Sequence, residues 1–164
     1  MACAVSNGVM MVANVYDHMS RRIIKIVGDA QHTYTYDNWS IIRETSSSMN
    51  GVCTNHYVWG LDLSGSIQGA GGVGGLLVDI KDGVPYVPSY DANGNVIEYV
   101  DATGTVAAHR AYSAFGQTTT LTGPLADGFS FWWSTKPLCP VTGLSEYEFR
   151  KYDSDLGRWV SPDP

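Results

Sequence analysis

Residues 66–78 read SIQGAGGVGGLLV. Within them, Gly69-Ala70-Gly71-Gly72-Val73-Gly74 fits G-x-G-x-x-G, the spacing whose glycines let a backbone wrap a dinucleotide pyrophosphate. That chemistry needs a buried strand before the glycines and a helix after them. Here a turn, Asp62 to Gly65, stands before them, and LLVDIKDGVPYVPSYD follows, where Asp82-Gly83, Pro85 and Pro88 forbid a helix. The acidic residue a ribose would need about 20 positions on falls at Asp91, itself in a turn. The glycines therefore read as an irregular loop over 66–76 where backbones approach closely, and no nucleotide cofactor is expected.

The other residues able to do chemistry are dispersed. His18, His32, His56 and His109 stand singly, without the close spacing of metal ligands. Asp79, Asp82 and Asp91 lack the twelve-residue calcium pattern, and no Gly-x-Ser-x-Gly anchors a hydrolase triad. Cys3, Cys53 and Cys139 are odd in number and far apart, which suits inert gap-filling side chains better than a disulfide or metal site. Phe129, Phe131, Trp132 and Trp133 leave two readings open: a platform on which sugars stack, or, favoured by their alternation, the aromatic side of a sheet core. Neither metal nor cofactor is expected.

What positions such residues is a chain of 164, within the range of one domain spanning 1–164. Its first stretch, 1–14, reads as atypical or disordered, and 135–144 as a proline-containing loop. Acidic residues outnumber basic ones 16 to 10, giving a net charge of −6, which argues against nucleic acid and against anionic membrane surfaces. No apolar run approaches the roughly 20 residues of a membrane helix, so no membrane insertion is expected. MACAVSNGVMMVANV lacks the basic start of a signal peptide. Val and Ile total 24 against nine Leu, and 12 Asp accompany four Glu, ten Tyr and 18 Gly. Branched and aromatic residues favour pleated strands, Asp and Gly the turns between them, and the fold class is all-β.

One unit recurs. YDANGNVIEY begins at Tyr90, VDATGTVAAHRAY at Val100, YSAFGQTTT at Tyr112 and GLDLSGSI at Gly60, each with a polar residue, two free positions and Gly. A type I turn favours Asp or Ser first and Gly fourth, where glycine takes the left-handed conformation that sends the chain back as a hairpin. Asp62–Gly65, Asp91–Gly94, Asp101–Gly104 and Ser113–Gly116 are thus expected to be tight reversals. Tyr16-Asp17 and Tyr36-Asp37 begin less regular copies with Ser20 and Ser40 in the glycine place, and YDSDLGRWV from Tyr152 carries one extra residue between Asp153 and Gly157. TYTYD (33–37) and EYEFR (146–150) alternate with period two, which predicts strands. Repeated antiparallel hairpins in a curved sheet follow.

These residues resemble YD-repeat, or Rhs, proteins, in particular their repeat-associated core. The resemblance rests on the Tyr-Asp-x-x-Gly copies with Tyr16, Tyr36, Tyr90, Tyr112, Tyr152 and Trp159, and on YVWGLDLSGSIQGAGGVGGLL (57–77), FSFWWSTK (129–136) and TGLSEYEFRKYDSDLGRWVSPDP (142–164). It covers the chain from about Val15 onward. It implies a partial segment of a β-shell, in which many repeats spiral into a continuous sheet around a variable C-terminal passenger, often a toxin. The implied role is structural and non-enzymatic, the implied partners are the remaining shell repeats and the passenger, and the implied location is secreted or cell-surface. The family also cuts itself through a pair of aspartates in two Asp-Pro-x-Gly motifs. Asp163-Pro164 matches the start of the first motif, and without a second carboxylate to share its proton the site is expected to be inoperative. Lys136-Pro137-Leu138-Cys139-Pro140 departs from the aromatic-rich pattern of relatives. With too few repeats to surround a cavity, the chain reads as a fragment, a truncated gene product or a module needing other copies, and if isolated its open edges would make it prone to association. The competing reading is an adhesion module that binds carbohydrate or protein.

Overall fold

The computed structural model describes residues 2–6 and 9–162. Eleven strands form one antiparallel sheet in which each strand pairs with its sequence neighbour: β1 (Ala2–Ser6), β2 (Val9–Tyr16), β3 (Arg22–Val27), β4 (Ala30–Asp37), β5 (Ser40–Ser48), β6 (Gly51–Trp59), β7 (Leu76–Lys81), β8 (Val84–Tyr90), β9 (Val96–Asp101), β10 (Val106–Tyr112) and β11 (Thr118–Thr122). The all-β reading holds. The first 14 residues, read from sequence as atypical or disordered, contribute β1 and most of β2. Strand β4 shows why these segments pleat: its residues alternate half-buried and exposed along its whole length, with Tyr34 and Tyr36 toward the covered face.

One face of the sheet is covered by the chain that follows β11. Its Phe129, Phe131 and Trp132 are 5, 3 and 1% exposed. They pack on an aromatic floor supplied by the sheet: Phe129 stacks on Tyr99 at 3.8 Å and meets Tyr86 edge-on, Phe131 lies edge-on between Tyr57 and Trp59, and Trp132 meets Tyr99. This strap is not a strand of the sheet, although its alternation suggests one. It is held by crossing bonds, from Val96 N–H to the Trp132 carbonyl and from the Tyr99 hydroxyl to the Phe131 carbonyl (2.8 Å). A 3-10 turn over Trp133–Thr135 ends it. Aromatic side chains that each bury 150–250 Å² dominate such a core.

A second sheet, β12 (Leu144–Glu146), β13 (Lys151–Asp153) and β14 (Arg158–Trp159), closes the chain. Here the expected strand EYEFR is corrected: β12 ends at Glu146, and Tyr147–Arg150 is a reversal closed by Tyr147 N–H to the Arg150 carbonyl. Tyr147 turns onto Trp159 and Tyr152, whereas Phe149 is 61% exposed and touches Trp39. Alternating aromatics in a short segment fit a reversal as well as a strand, and the pairing of β12 with β13 through this turn decides between them.

Candidate functional site

The repeated tyrosines do a common task. Register slips by one residue between Thr35 and Tyr36, Val58 and Trp59, Ser89 and Tyr90, and Ala111 and Tyr112, so a bulge sits at the same end of β4, β6, β8 and β10. A bulge leaves ladder groups without strand partners. At each, the aromatic side chain reaches back to a carbonyl at or beside the start of the preceding strand: Tyr36 OH to Arg22 O (2.8 Å), Trp59 Nε1 to Ile41 O (2.7 Å), Tyr90 OH to Leu76 O, and Tyr112 OH to Val96 O (2.6 Å). These latches span 14 to 18 residues, one strand-turn-strand period. Burial pushes the Tyr36 hydroxyl up to about 12, and those of Tyr90 and Tyr112 well up as well, so all three remain donors. Tyr152 serves elsewhere, donating to the Phe115 carbonyl and so tying the small sheet to the 113–116 turn. Tyr16 is 37% exposed. Trp159 packs in the small sheet between Tyr147 and Tyr152.

The turns share a second geometry. At Asp91, Asp101 and Ser113 the backbone N–H bonds the carbonyl four residues on, and the residue's own carbonyl accepts from Gly94, Gly104 or Gly116. The side-chain oxygen accepts further N–H groups: Asn93 and Asn95 at Asp91, Thr103 and Thr105 at Asp101, Gln117 at Ser113. The three glycines have φ of 74, 85 and 87°, a region costly for other residues. Asp17 builds the same turn with Ser20 forced to φ 63°. Asp37 does not: β4 and β5 reverse through Asn38 and Trp39 alone, with Asn38 at φ 50°, and Ser40 already pairs with Asp37. Asp153 accepts from Asp155 and Leu156, which accommodates the extra residue before Gly157.

Asp62–Gly65 has the same turn bonds but joins no hairpin, because it lies inside the long β6–β7 connection. Its carboxylate is the centre of the glycine-rich loop. Oδ1 accepts from Ser64, and Oδ2 from the Ala70 and Gly72 N–H groups at 2.7 and 3.0 Å. Backbone donors that could have faced a phosphate face the chain's own aspartate. Burial raises that carboxyl, but these bonds outweigh it and hold it at about 2. Gly72 lies against the Trp59 ring. Thr135, 2% exposed, accepts from Gly74 N–H and donates to the Gly94 carbonyl, so one hydroxyl joins loop, turn and strap.

Between strap and sheet lies a polar network that no sequence pattern announced. His32 and Tyr57 hydrogen-bond the two oxygens of buried Glu44 at 2.9 and 3.0 Å, and Arg22 pairs with Glu146. Asp79 has 0% exposure, and neither carboxyl oxygen has a hydrogen-bond partner. Burial, opposed by Lys81 and reinforced by Glu44, pushes it up to about 7. Of the other histidines, His18 and His56 are exposed and His109 pairs with Glu98. Among the described residues no group of three His, Cys, Asp or Glu could hold a metal. No helix among them is long and apolar enough to cross a membrane. Asp163 lies outside the described residues.

Residues 90–127, which contain three of the turns, the Tyr112 latch and the tyrosine of the Tyr90 latch, match the RHS Repeat family model. The whole structure is similar to TcdB2-TccC3 without its hypervariable C-terminal region (TM-score 0.73, 18% identity, 98% of this chain and 8% of that one). It is similar too to the Photorhabdus luminescens Tc holotoxin pore with a mutated TccC3 (TM-score 0.70, 16% identity, 99% and 9%) and to TcdB2-TccC3-Cdc42 (0.70, 17%, 93% and 8%). At these identities the likeness establishes the fold, and the chain spans under a tenth of the length of those structures. No curated protein matches the chain in sequence.

Proposed function

We propose, from the premise that this is an RHS-repeat chain, that it is one piece of wall in an Rhs-type β-shell that encloses a C-terminal passenger of toxin type. The observation that carries the reading is the strictly sequential sheet: β1 and β11 are its two outer strands, each paired on one side, so the ladder has room to continue in both directions. A wall made this way grows by repeating one hairpin, and each aromatic latch ties a new hairpin to the strand before it. The remaining partners are then further repeats of the same kind and the passenger, and isolated copies associate through the open edges. The unit spans 1–164, works without catalysis of its own, and belongs outside the cell that makes it. Burial of Phe129, Phe131 and Trp132, which leaves Trp133 alone half-buried, counts against the aromatic platform on which a carbohydrate-binding role would rest. The test is protease protection in the full-length gene product. The passenger should resist added protease until the wall is unfolded, whereas digestion at the rate of the free passenger would refute enclosure.

A further inference from the structure

Asp79 on β7 lies under the strap with nothing to bind. It is 0% exposed, and neither carboxyl oxygen has a hydrogen-bond partner. Across the ladder it faces Tyr57 on β6 and Tyr86 on β8, and Phe129 of the strap closes the site, edge-on to Tyr86 and stacked on Tyr99 of β9. The hydroxyls of Tyr57 and Tyr99 serve other groups, Glu44 and the Phe131 carbonyl. Glu44, from β5, adds a like charge. Arg110 on β10 acts on Tyr99, and Asp127 acts on Arg110, but neither acts on Asp79. Among the described residues the one cation that does is Lys81, two positions along the same face of β7. That ammonium group is engaged with the strap: Nζ donates to the Gly128 carbonyl and lies 5.3 Å from the Phe129 ring centroid.

A carboxylate ionised in such a place must gain water or a cation. Ladders on both sides fix β7. The strap is held by isolated bonds: Leu125 N–H to the Ala107 carbonyl, Val96 N–H to the Trp132 carbonyl, the Tyr99 hydroxyl to Phe131, and Lys81 to Gly128. Lifting the strap is therefore the easier route to water, and the ammonium group that would meet Asp79 is the one that pins Gly128. We propose that the strap over 125–132 is a pH-governed lid, closed while Asp79 holds its proton and opened when that proton leaves to solvent, Lys81 then passing from the Gly128 carbonyl to the carboxylate. With the lid open, Asp79 is a solvated aspartate near 3.8, whereas burial under the closed lid puts it at about 7. Closure is thus fully favoured below 3.8, weakens by up to about tenfold per pH unit between the two values, and weakens no further above 7. The lid is built within this chain, so it stands whether or not the wall encloses a passenger.

Hydrogen exchange of the full chain tests this, read at the Leu125 and Val96 amides that tie the strap down. Rates from pH 4 to pH 9 are taken as ratios to Asp79→Asn at the same pH, which cancels the intrinsic pH dependence of exchange. The expected ratio is close to one at pH 4, at least about tenfold by pH 7, and level beyond. Repeating the measurement in low urea separates the lid from whole-chain unfolding: a local opening exposes little surface, so its urea slope should be less than about half the global one. Lys81→Met should exchange faster at Leu125 already at pH 4, because the tether is gone, and its ratio should keep rising to higher pH, because no cation opposes burial. Should Asp79→Asn fail to fold, Asp79→Leu serves as the reference. A ratio that stays flat with pH, strap amides that exchange only with the full global urea slope, or Lys81→Met indistinguishable from the parent at pH 4 overturns the proposal.

Discussion

Replacing Asp79 by Asn should stabilise the protein, and only where the carboxyl would be ionised. In the fold this group is fully buried among Tyr57, Tyr86 and Tyr99, with Lys81 and Glu44 as the nearest charges that act on it. Burial raises it from 3.8 to about 7. Below 3.8 both folded and unfolded chains hold the proton, and the group costs nothing. Between 3.8 and 7 the unfolded chain releases it while the fold retains it, so stability falls as pH rises, and above 7 the loss levels off. At about 1.4 kcal/mol per pH unit, the full penalty is about 4 kcal/mol, an upper value because the buried amide of Asn also lacks partners. Urea unfolding of both proteins, followed by tryptophan fluorescence from pH 4 to pH 9, measures it. The expected difference is near zero at pH 4 and grows to between about 2 and 4 kcal/mol by pH 8. Other titrating groups cancel between the two proteins. A difference that does not change with pH, or an Asn variant that is less stable at pH 8, refutes the reasoning.

Three further outcomes follow from the same geometry. Gly116→Ala should cost about 3 kcal/mol and Gly104→Ala about 1, because both sit at positive φ but only at Gly116 would the new methyl meet the Trp133 ring at 2.5 Å; chemical denaturation of the two variants checks the ratio. Tyr90→Phe and Tyr112→Phe should each lose about 1 kcal/mol by stranding the Leu76 and Val96 carbonyls. Hydrogen exchange should then quicken beside those carbonyls and not at the distal turns. Asp62→Asn should free the glycine-rich loop, read as faster exchange at Ala70 and Gly72, and its stability deficit should vanish as pH falls through about 2, where the native carboxyl takes up its proton.

The turns are written locally. Asp91 and Gly94 meet within five residues, so composition and spacing alone constrain them. The latches depend on partners 14 to 18 residues away, and in one copy Trp59 stands where the pattern has Tyr; only the common bulge reveals that its ring nitrogen does the same work. The glycine-rich run shows what it is not through the prolines after it, but its ligand, Asp62, becomes apparent only when the loop folds back. FSFWW has the alternation of a strand, yet its carbonyls are taken by Val96 and Tyr99 from across the sheet, which no periodicity encodes. Asp79 is an ordinary strand residue in sequence, and its buried, unpaired state arises from the aromatic lid placed over it.

Cryo-electron microscopy of the full-length gene product bears most directly on the wall itself. Another strand is expected hydrogen-bonded along the outer side of Thr118–Thr122, with the sheet going on to close around density for the passenger. A map in which that side of β11 faces solvent and the passenger lies outside the sheet would contradict it.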